Sequence, residues 1–197
     1  MKINNSITGR AFLKTLILAI GVISFSGCAF LSGAGKVSST YNKSTGIATY
    51  GINENFIGIT SVSGSPETLD LCPFVIVDQS GAKIYEIRVG YNGTGWLFVD
   101  AGYTLSFNLD GEDAVLLASS QGSFSAREVV YGNSVKEGIV YPVEPETIRK
   151  IASAGTAKVS LKGNKKSIGR EFNGENFAAM RLFVKEAIDG NPSINRK

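Results

Sequence analysis

Apolar and polar residues alternate at every second position through most of the chain, and only near its end does the spacing lengthen to that of a helix. Residues 103–110, YTLSFNLD, put Leu105, Phe107 and Leu109 on one side and Thr104, Ser106 and Asn108 on the other. That period of two predicts a strand with one wet face. The same pattern precedes it. VSSTY and GIATYGI flank the polar cluster NKST, predicting a hairpin over 37–52, and ENFIGIT adds a short strand at 54–60. Pro66 punctuates a loop at 63–68, LDLCPFVIVD runs to 78, QSGA turns the chain, and KIYEIRVGYN returns to 92. Pro73, which has no amide hydrogen to give a ladder, places the start of its strand at an edge or a bulge.

Beyond this point Asn92-Gly93 predicts a further hairpin, with WLFVD (96–100) as the returning strand. Asp110-Gly111 turns into AVLLASS, QGS turns again, FSAREVVY follows, and Gly132-Asn133 leads into VKEGIVYPV, which ends near 143. Turn signals every eight to twelve residues describe an antiparallel sandwich or barrel, not alternating strands and helices.

At Pro145 the pattern changes. EPETIRKIASAG has proline at a first helical position, acids at the start, bases further on and Gly155 at the stop, with Ile148, Ile151 and Ala152 on one face. TAKVSLKG then alternates with Ala157, Val159 and Leu161 inward, and GNKK turns it into SIGREFN. In ENFAAMRLFVKEAI (175–188), Phe177, Met180, Val184, Ala187 and Ile188 recur at helical spacing behind Asn173 as candidate cap. The expected fold is mainly β, an antiparallel sandwich or barrel-like body with one or two C-terminal helices packed on a sheet (α+β). It forms one domain over 37–190, followed by a tail at 191–197.

The N-terminus follows different rules. Its first fourteen residues hold Lys2, Arg10 and Lys14 and no acid, and TLILAIGVISF (15–25) carries no charge. This is the layout of a secretion signal. As a helix the apolar run spans roughly 16 Å, about half the hydrocarbon core, so an uncut membrane anchor fits less well. The run ends on Phe25-Ser26-Gly27-Cys28. That ending resembles the lipobox of bacterial lipoproteins, in which an aliphatic residue and two small ones precede an invariant cysteine; Phe25 stands where the family usually has leucine. The resemblance implies a signal peptide over 1–27, cleavage after Phe25-Ser26-Gly27 and lipidation of Cys28. Ala29 implies sorting to the outer membrane, with the outer leaflet of the cytoplasmic membrane as the alternative. A general signal peptidase cutting after Ala29, with Gly27 and Ala29 as its small residues, is the other reading of the same stretch. On the lipobox reading, residues 28–36 are the modified cysteine and a Gly-rich tether.

Loss of the signal changes the charge balance. The whole chain has a formal charge of +3, but residues 28–197 hold 17 bases against 17 acids. No electrostatic case for nucleic acid remains. The charges are nevertheless segregated: 28–143 hold 6 bases and 11 acids, and 144–197 hold 11 bases and 6 acids. A mixed solvent face explains this, as does attraction to anionic headgroups or an acidic partner. With Cys28 acylated, Cys72 has no partner in the chain and reads as a small buried hydrophobe.

The search for chemistry returns mainly exclusions. There is no histidine, which removes histidine-based triads, imidazole metal sites and histidine acid–base catalysis. Neither a phosphate loop, nor a dinucleotide fingerprint, nor a nucleophile elbow occurs. No cofactor or metal is expected. Asn108-Leu109-Asp110-Gly111-Glu112-Asp113 echoes the opening of a calcium loop but lacks its twelfth-position glutamate, and Asp-Gly between strands is an ordinary turn. Two of Asp100, Asp110, Glu128 and Glu137 are candidates for a glycosidase pair. Among Tyr91, Trp96, Phe98, Tyr103 and Tyr131, the best candidates for a ligand-facing aromatic set are Tyr91, Trp96 and Tyr103, with core packing as the simpler account.

The overall layout, a YNKSTG hairpin near the start and a helix, hairpin and helix at the end, loosely resembles hypothetical bacterial lipoproteins and implies no catalytic residues. The expected function is therefore that of a membrane-anchored envelope lipoprotein with a non-catalytic binding or scaffolding role. Its partners would be the bilayer, through N-terminal acyl chains, and an envelope protein or glycan. The alternative is a carboxylate-dependent envelope glycan hydrolase.

Overall fold

The computed structural model describes residues 36–52, 56–60, 67–99, 102, 104–118 and 126–190. The signal, Cys28, Asp100, Tyr103, the turn at 121–123 and the tail at 191–197 lie outside the described residues. Among the described residues, eleven strands form two antiparallel sheets. The first contains β1 (Val37–Asn42), β2 (Ile47–Ile52), β3 (Phe56–Thr60), β4 (Glu67–Val77), β5 (Lys83–Thr94), β8 (Ala126–Tyr131) and β9 (Ser134–Val143). Its order is β1-β2-β4-β5-β9-β8, with β3 also on β4. The second sheet contains β6 (Thr104–Leu109), β7 (Glu112–Ala118), β10 (Ala157–Lys162) and β11 (Ser167–Glu171), in the order β11-β10-β6-β7. Helix α1 (Pro145–Ser153) precedes β10; α2 (Gly174–Phe183) follows β11 and continues as a π-helical segment, Val184–Asp189.

One core holds these parts together. Alternation in the first sheet turns Leu69, Leu71, Val75, Val77, Ile87, Val89, Ile139 and Tyr141 toward it, and the second sheet contributes Leu105, Phe107, Leu109, Val159 and Leu161. Ile148 and Ile151 of α1 and Met180 and Phe183 of α2 belong to the same cluster. Burying such a side chain contributes about 1.5–3 kcal/mol, so the helices are fastened by their apolar faces and not by propensity alone. The expected α+β organisation therefore holds, with the β elements in two sheets.

Local signals explain most boundaries. Pro145 opens α1, whose buried face is Ile148, Ile151 and Ala152. Asn173 caps α2 reciprocally with Asn176: each side chain accepts from the other's backbone amide at 2.9 Å. The stripe expected on α2 omitted Phe183, which is fully buried three residues after Met180, at ordinary helical spacing and before the π-helical segment begins.

Two expectations need correction. Asn92-Gly93 is not a hairpin turn; β5 runs through it, pairing Asn92 with Lys136 and Gly93 with Val135. The glycine is there because the Tyr91 hydroxyl occupies the space a Cβ would need. The described part of WLFVD, residues 96–99, is not a strand either. Residues 96–99 form an irregular crossing from one sheet to the other, with Phe98 at φ 54°. Pro73, in turn, lies inside β4 and pairs with Ile87 of β5. On its other side, β2 pairs only to Phe74 and β3 only from Asp70, so the proline falls where neither forms a ladder.

Candidate functional site

The crossing at 96–99 is held by a charged side chain pointing into the core. Glu137 lies on the inward face of β9 with Val135 and Ile139 and is 4% exposed. One carboxylate oxygen accepts from the amides of Leu97 and, at 3.0 Å, Phe98; the other accepts from Val99 at 3.0 Å. Arg127, opposite Glu137 on β8, adds its Nε at 3.4 Å and donates from Nη2 to the Val99 carbonyl at 3.0 Å. Successive amides turned inward in this way form an anion-binding nest, here filled by the protein's own carboxylate. On the far side, Asn164 and Lys165 donate their amides to the carbonyls of Phe98 and Leu97, each at 3.1 Å. The crossing thus bridges β9 and the β10–β11 turn.

A second cluster joins the sheets beside it. Tyr91 is fully buried, and its hydroxyl donates to Glu67 Oε1 at 2.9 Å. Lys166 reaches the same oxygen at 2.5 Å and the Thr94 carbonyl at 3.4 Å. Arg170 donates to the Glu67 carbonyl at 3.1 Å and to that of Gly169 at 2.7 Å, while its Nε is buried without a partner among the described residues. The hydrogen bond from Lys166, helped by Tyr91 and the charge of Arg170, holds the Glu67 carboxyl below its usual range. Burial pushes the Tyr91 phenol up. Burial pulls Lys166 down, but Glu67 and Tyr91 together outweigh it and its ammonium is retained to higher pH. A phenol with raised pKa beside a fully ionised pair is a tie between sheets rather than an activated nucleophile.

An open groove of about 570 Å³ lies at the other end of the second sheet, lined by Asn108, Gly111, Thr156, Lys158, Glu171 and Phe172, among others. Lys158 and Glu171 pair across strands at 3.0 Å, both largely exposed. The rim offers an amide, a hydroxyl and charges of both signs over an aromatic edge, a set that suits hydrogen bonding to a polar ligand.

The other candidates are dispersed. Asp110, at φ 55°, accepts from the amides of Gly155 and Thr156 at 2.9 and 2.7 Å, and so fastens the β6–β7 turn to the chain leaving α1. Asn108 donates to Asp113 at 3.0 Å. Among the described residues, no group of three or more metal-ligating side chains gathers. Glu128 pairs with Lys136 and Glu137 with Arg127, so the two glutamates face opposite sides of the sheet. Of the aromatic set, Tyr91 is inside the core, Trp96 is partly buried with its ring centroid 6.1 Å from that of Phe98, and Tyr103 lies outside the described residues. Cys72 is buried on the opposite face of β4, its thiol donating to Asp70 at 3.2 Å.

Neither the Glu137 nest nor the Glu67 cluster was anticipated, yet both leave a trace in the sequence. Glu137 and Arg170 share the parity of apolar neighbours, Val135 and Ile139 in one strand and Ile168 in the other. A charge on the dry face of a strand needs a partner inside. No family model, curated protein or solved structure matches this chain.

Proposed function

We propose that this chain is an exported lipoprotein, cut before Cys28 and acylated there, whose β-rich body binds an envelope protein or glycan without performing a reaction. Its place is the periplasmic face of the outer membrane, with the outer leaflet of the cytoplasmic membrane as the alternative. The observation that carries this reading is the run of Lys2, Arg10 and Lys14, an uncharged stretch, and Phe25-Ser26-Gly27-Cys28. Small residues before the cysteine let a peptidase grip an extended backbone, and a thiol can take a diacylglyceryl thioether.

The arrangement of the body is compatible with this. The first described strand begins at Val37, eight residues (29–36) after the cysteine, and on this reading those eight form the tether. As a flexible coil that tether reaches on the order of 16 Å. Among the described residues no helix is long and apolar enough to cross a membrane; attachment would fall to the acyl chains, which hold durably only in combination. Binding is favoured over catalysis because Asp110 Oδ1 and both oxygens of Glu137 accept from backbone amides and Glu128 faces away from Glu137.

Mass spectrometry of the mature N-terminus tests the reading. The expected species begins at an acylated Cys28 and fractionates with membranes, and Cys28→Ser leaves an uncut precursor. A mature chain starting at Phe30, or an unmodified Cys28, overturns it.

A further inference from the structure

We propose that the tip of the β10–β11 hairpin, with Trp96 beside it, is the surface that rests on anionic lipid headgroups of the membrane to which Cys28 is attached. This rests on the lipoprotein reading and adds to it an orientation of the body.

The first argument is charge. The tip carries Lys162, Lys165 and Lys166, with no acid between Ser160 and Gly169. Lys166 is engaged by Glu67. Lys162 and Lys165 are exposed and, among the described residues, in no ion pair. The opposite end of the same sheet, set by the pairs Leu109 with Glu112 and Lys158 with Glu171, holds Asp110, Glu112, Asp113 and Glu171 against the single Lys158. Among the described residues the second sheet is therefore basic at one end and acidic at the other. Each lysine close to an anionic surface strengthens partitioning roughly fivefold.

The second argument is the indole. Lys165 donates its amide to Leu97, the residue after Trp96, so the basic tip and the partly buried tryptophan are adjacent. An aromatic ring with a polar edge and a neighbouring lysine are the side chains that a headgroup region accommodates.

Direction supplies the third argument. Ser38, Gly51, Phe74 and Glu86 form one row across the first sheet. Going back from Asn42 to Val37, β1 runs toward the end where Glu67 and Thr94 contact Lys166. At Val37 the described strand thus points back toward the basic tip. Thr94 is eight residues beyond Glu86, about 26 Å of strand. The nine residues from 29 to 37 extend to at most about 30 Å, so they cover that distance when drawn out beyond their coil dimension of about 16 Å. An anchor at Cys28 can lie in the plane of the tip, whereas the turns at 43–46 and 79–81 are at the far end.

Trp96 is the chain's single tryptophan, so it reports on this surface without labelling. The acylated chain is reconstituted in phosphatidylcholine vesicles, with or without phosphatidylglycerol, carrying a dansyl headgroup acceptor. Energy transfer from Trp96 is expected to rise with phosphatidylglycerol and fall with added salt. In Lys162→Glu/Lys165→Glu it should return to the neutral-vesicle level, while Lys150→Glu on α1 leaves it unchanged. Equal transfer in the two vesicle types, or an unaltered double variant, overturns the proposal. So does a salt-sensitive rise that requires an added acidic protein, which would assign the tip to that partner. The intact mass before reconstitution separately records acylation, so a bare Cys28 counts against the lipoprotein reading and not against the tip.

Discussion

The amide of Phe98, a residue held at φ 54° without being glycine, donates to the buried carboxylate of Glu137 at 3.0 Å. A left-handed conformation is unfavourable for an aromatic residue, and inward-facing amides without acceptors are costly. Glu137 removes the second cost and thereby sustains the first. The irregular crossing between sheets exists because a strand opposite it carries one acid on its dry side.

Glu137→Gln should accordingly destabilise the domain by about 3 kcal/mol, since one oxygen becomes an amide group that faces donors. Urea unfolding followed by Trp96 emission measures it. A change below about 0.5 kcal/mol would mean the nest is not supported by this carboxylate.

The Glu67 cluster predicts a pH dependence with a definite sign. The folded-state pKa of Glu67 is depressed, chiefly by the hydrogen bond from Lys166. Its contribution is therefore complete above the ordinary carboxylate value and is lost as pH falls through the depressed one. Lys166 acts oppositely: with a raised pKa, its contribution is complete below the ordinary lysine range and disappears as pH rises through the higher value. Glu67→Gln should lower the melting temperature at neutral pH and flatten the acid limb of the stability curve. Both side chains are about a third exposed, so the amplitude should shrink in high salt. An acid limb identical to wild type would remove Glu67 from it.

How much of this was legible beforehand depends on distance along the chain. The β6 strand, the Asp110-Gly111 turn, the Pro145 start of α1 and the Asn173 cap are set by neighbours within a few residues, and the sequence states them directly. Gly93 was misread because its local partner, Asn92, gives a turn signal, while the demand it meets is space for the Tyr91 hydroxyl. The 96–99 segment was misread because its apolar residues suit a strand and its acceptor lies about forty residues away, in Glu137. Periodicity records which face is dry; it does not record which charged residue on that face will find which amide.

Tyr141 predicts a gain. Its ring is fully buried and its hydroxyl has no hydrogen-bond partner among the described residues; burial pushes the phenol far up. Removing the oxygen relieves a desolvated dipole while keeping the packing. Tyr141→Phe should raise stability by about 1 kcal/mol, or roughly 2–4 °C in melting temperature. A loss of 1 kcal/mol or more would show that the hydroxyl has an acceptor after all.

Two glycines separate close approach to backbone from close approach to a side chain. At Gly163 an added Cβ would overlap the carbonyl of Leu97, and at Gly93 it would overlap the hydroxyl end of Tyr91. The Leu97 carbonyl is fixed: it accepts from Lys165, and the Leu97 amide is bound to Glu137, so it cannot withdraw without opening the nest. Among the described residues the Tyr91 hydroxyl meets the Glu67 and Lys166 side chains and the Gly95 carbonyl, and the two side chains can follow it, Glu67 keeping Lys166. Gly163→Ala should therefore cost about 3 kcal/mol and Gly93→Ala about 1–2 kcal/mol. Because the first displaces residues 97–99, it should also shift Trp96 emission in the folded state, whereas the second should lower the melting temperature with less change in the folded spectrum. Reversal of that order would place the rigid contact at Tyr91 and not at the crossing.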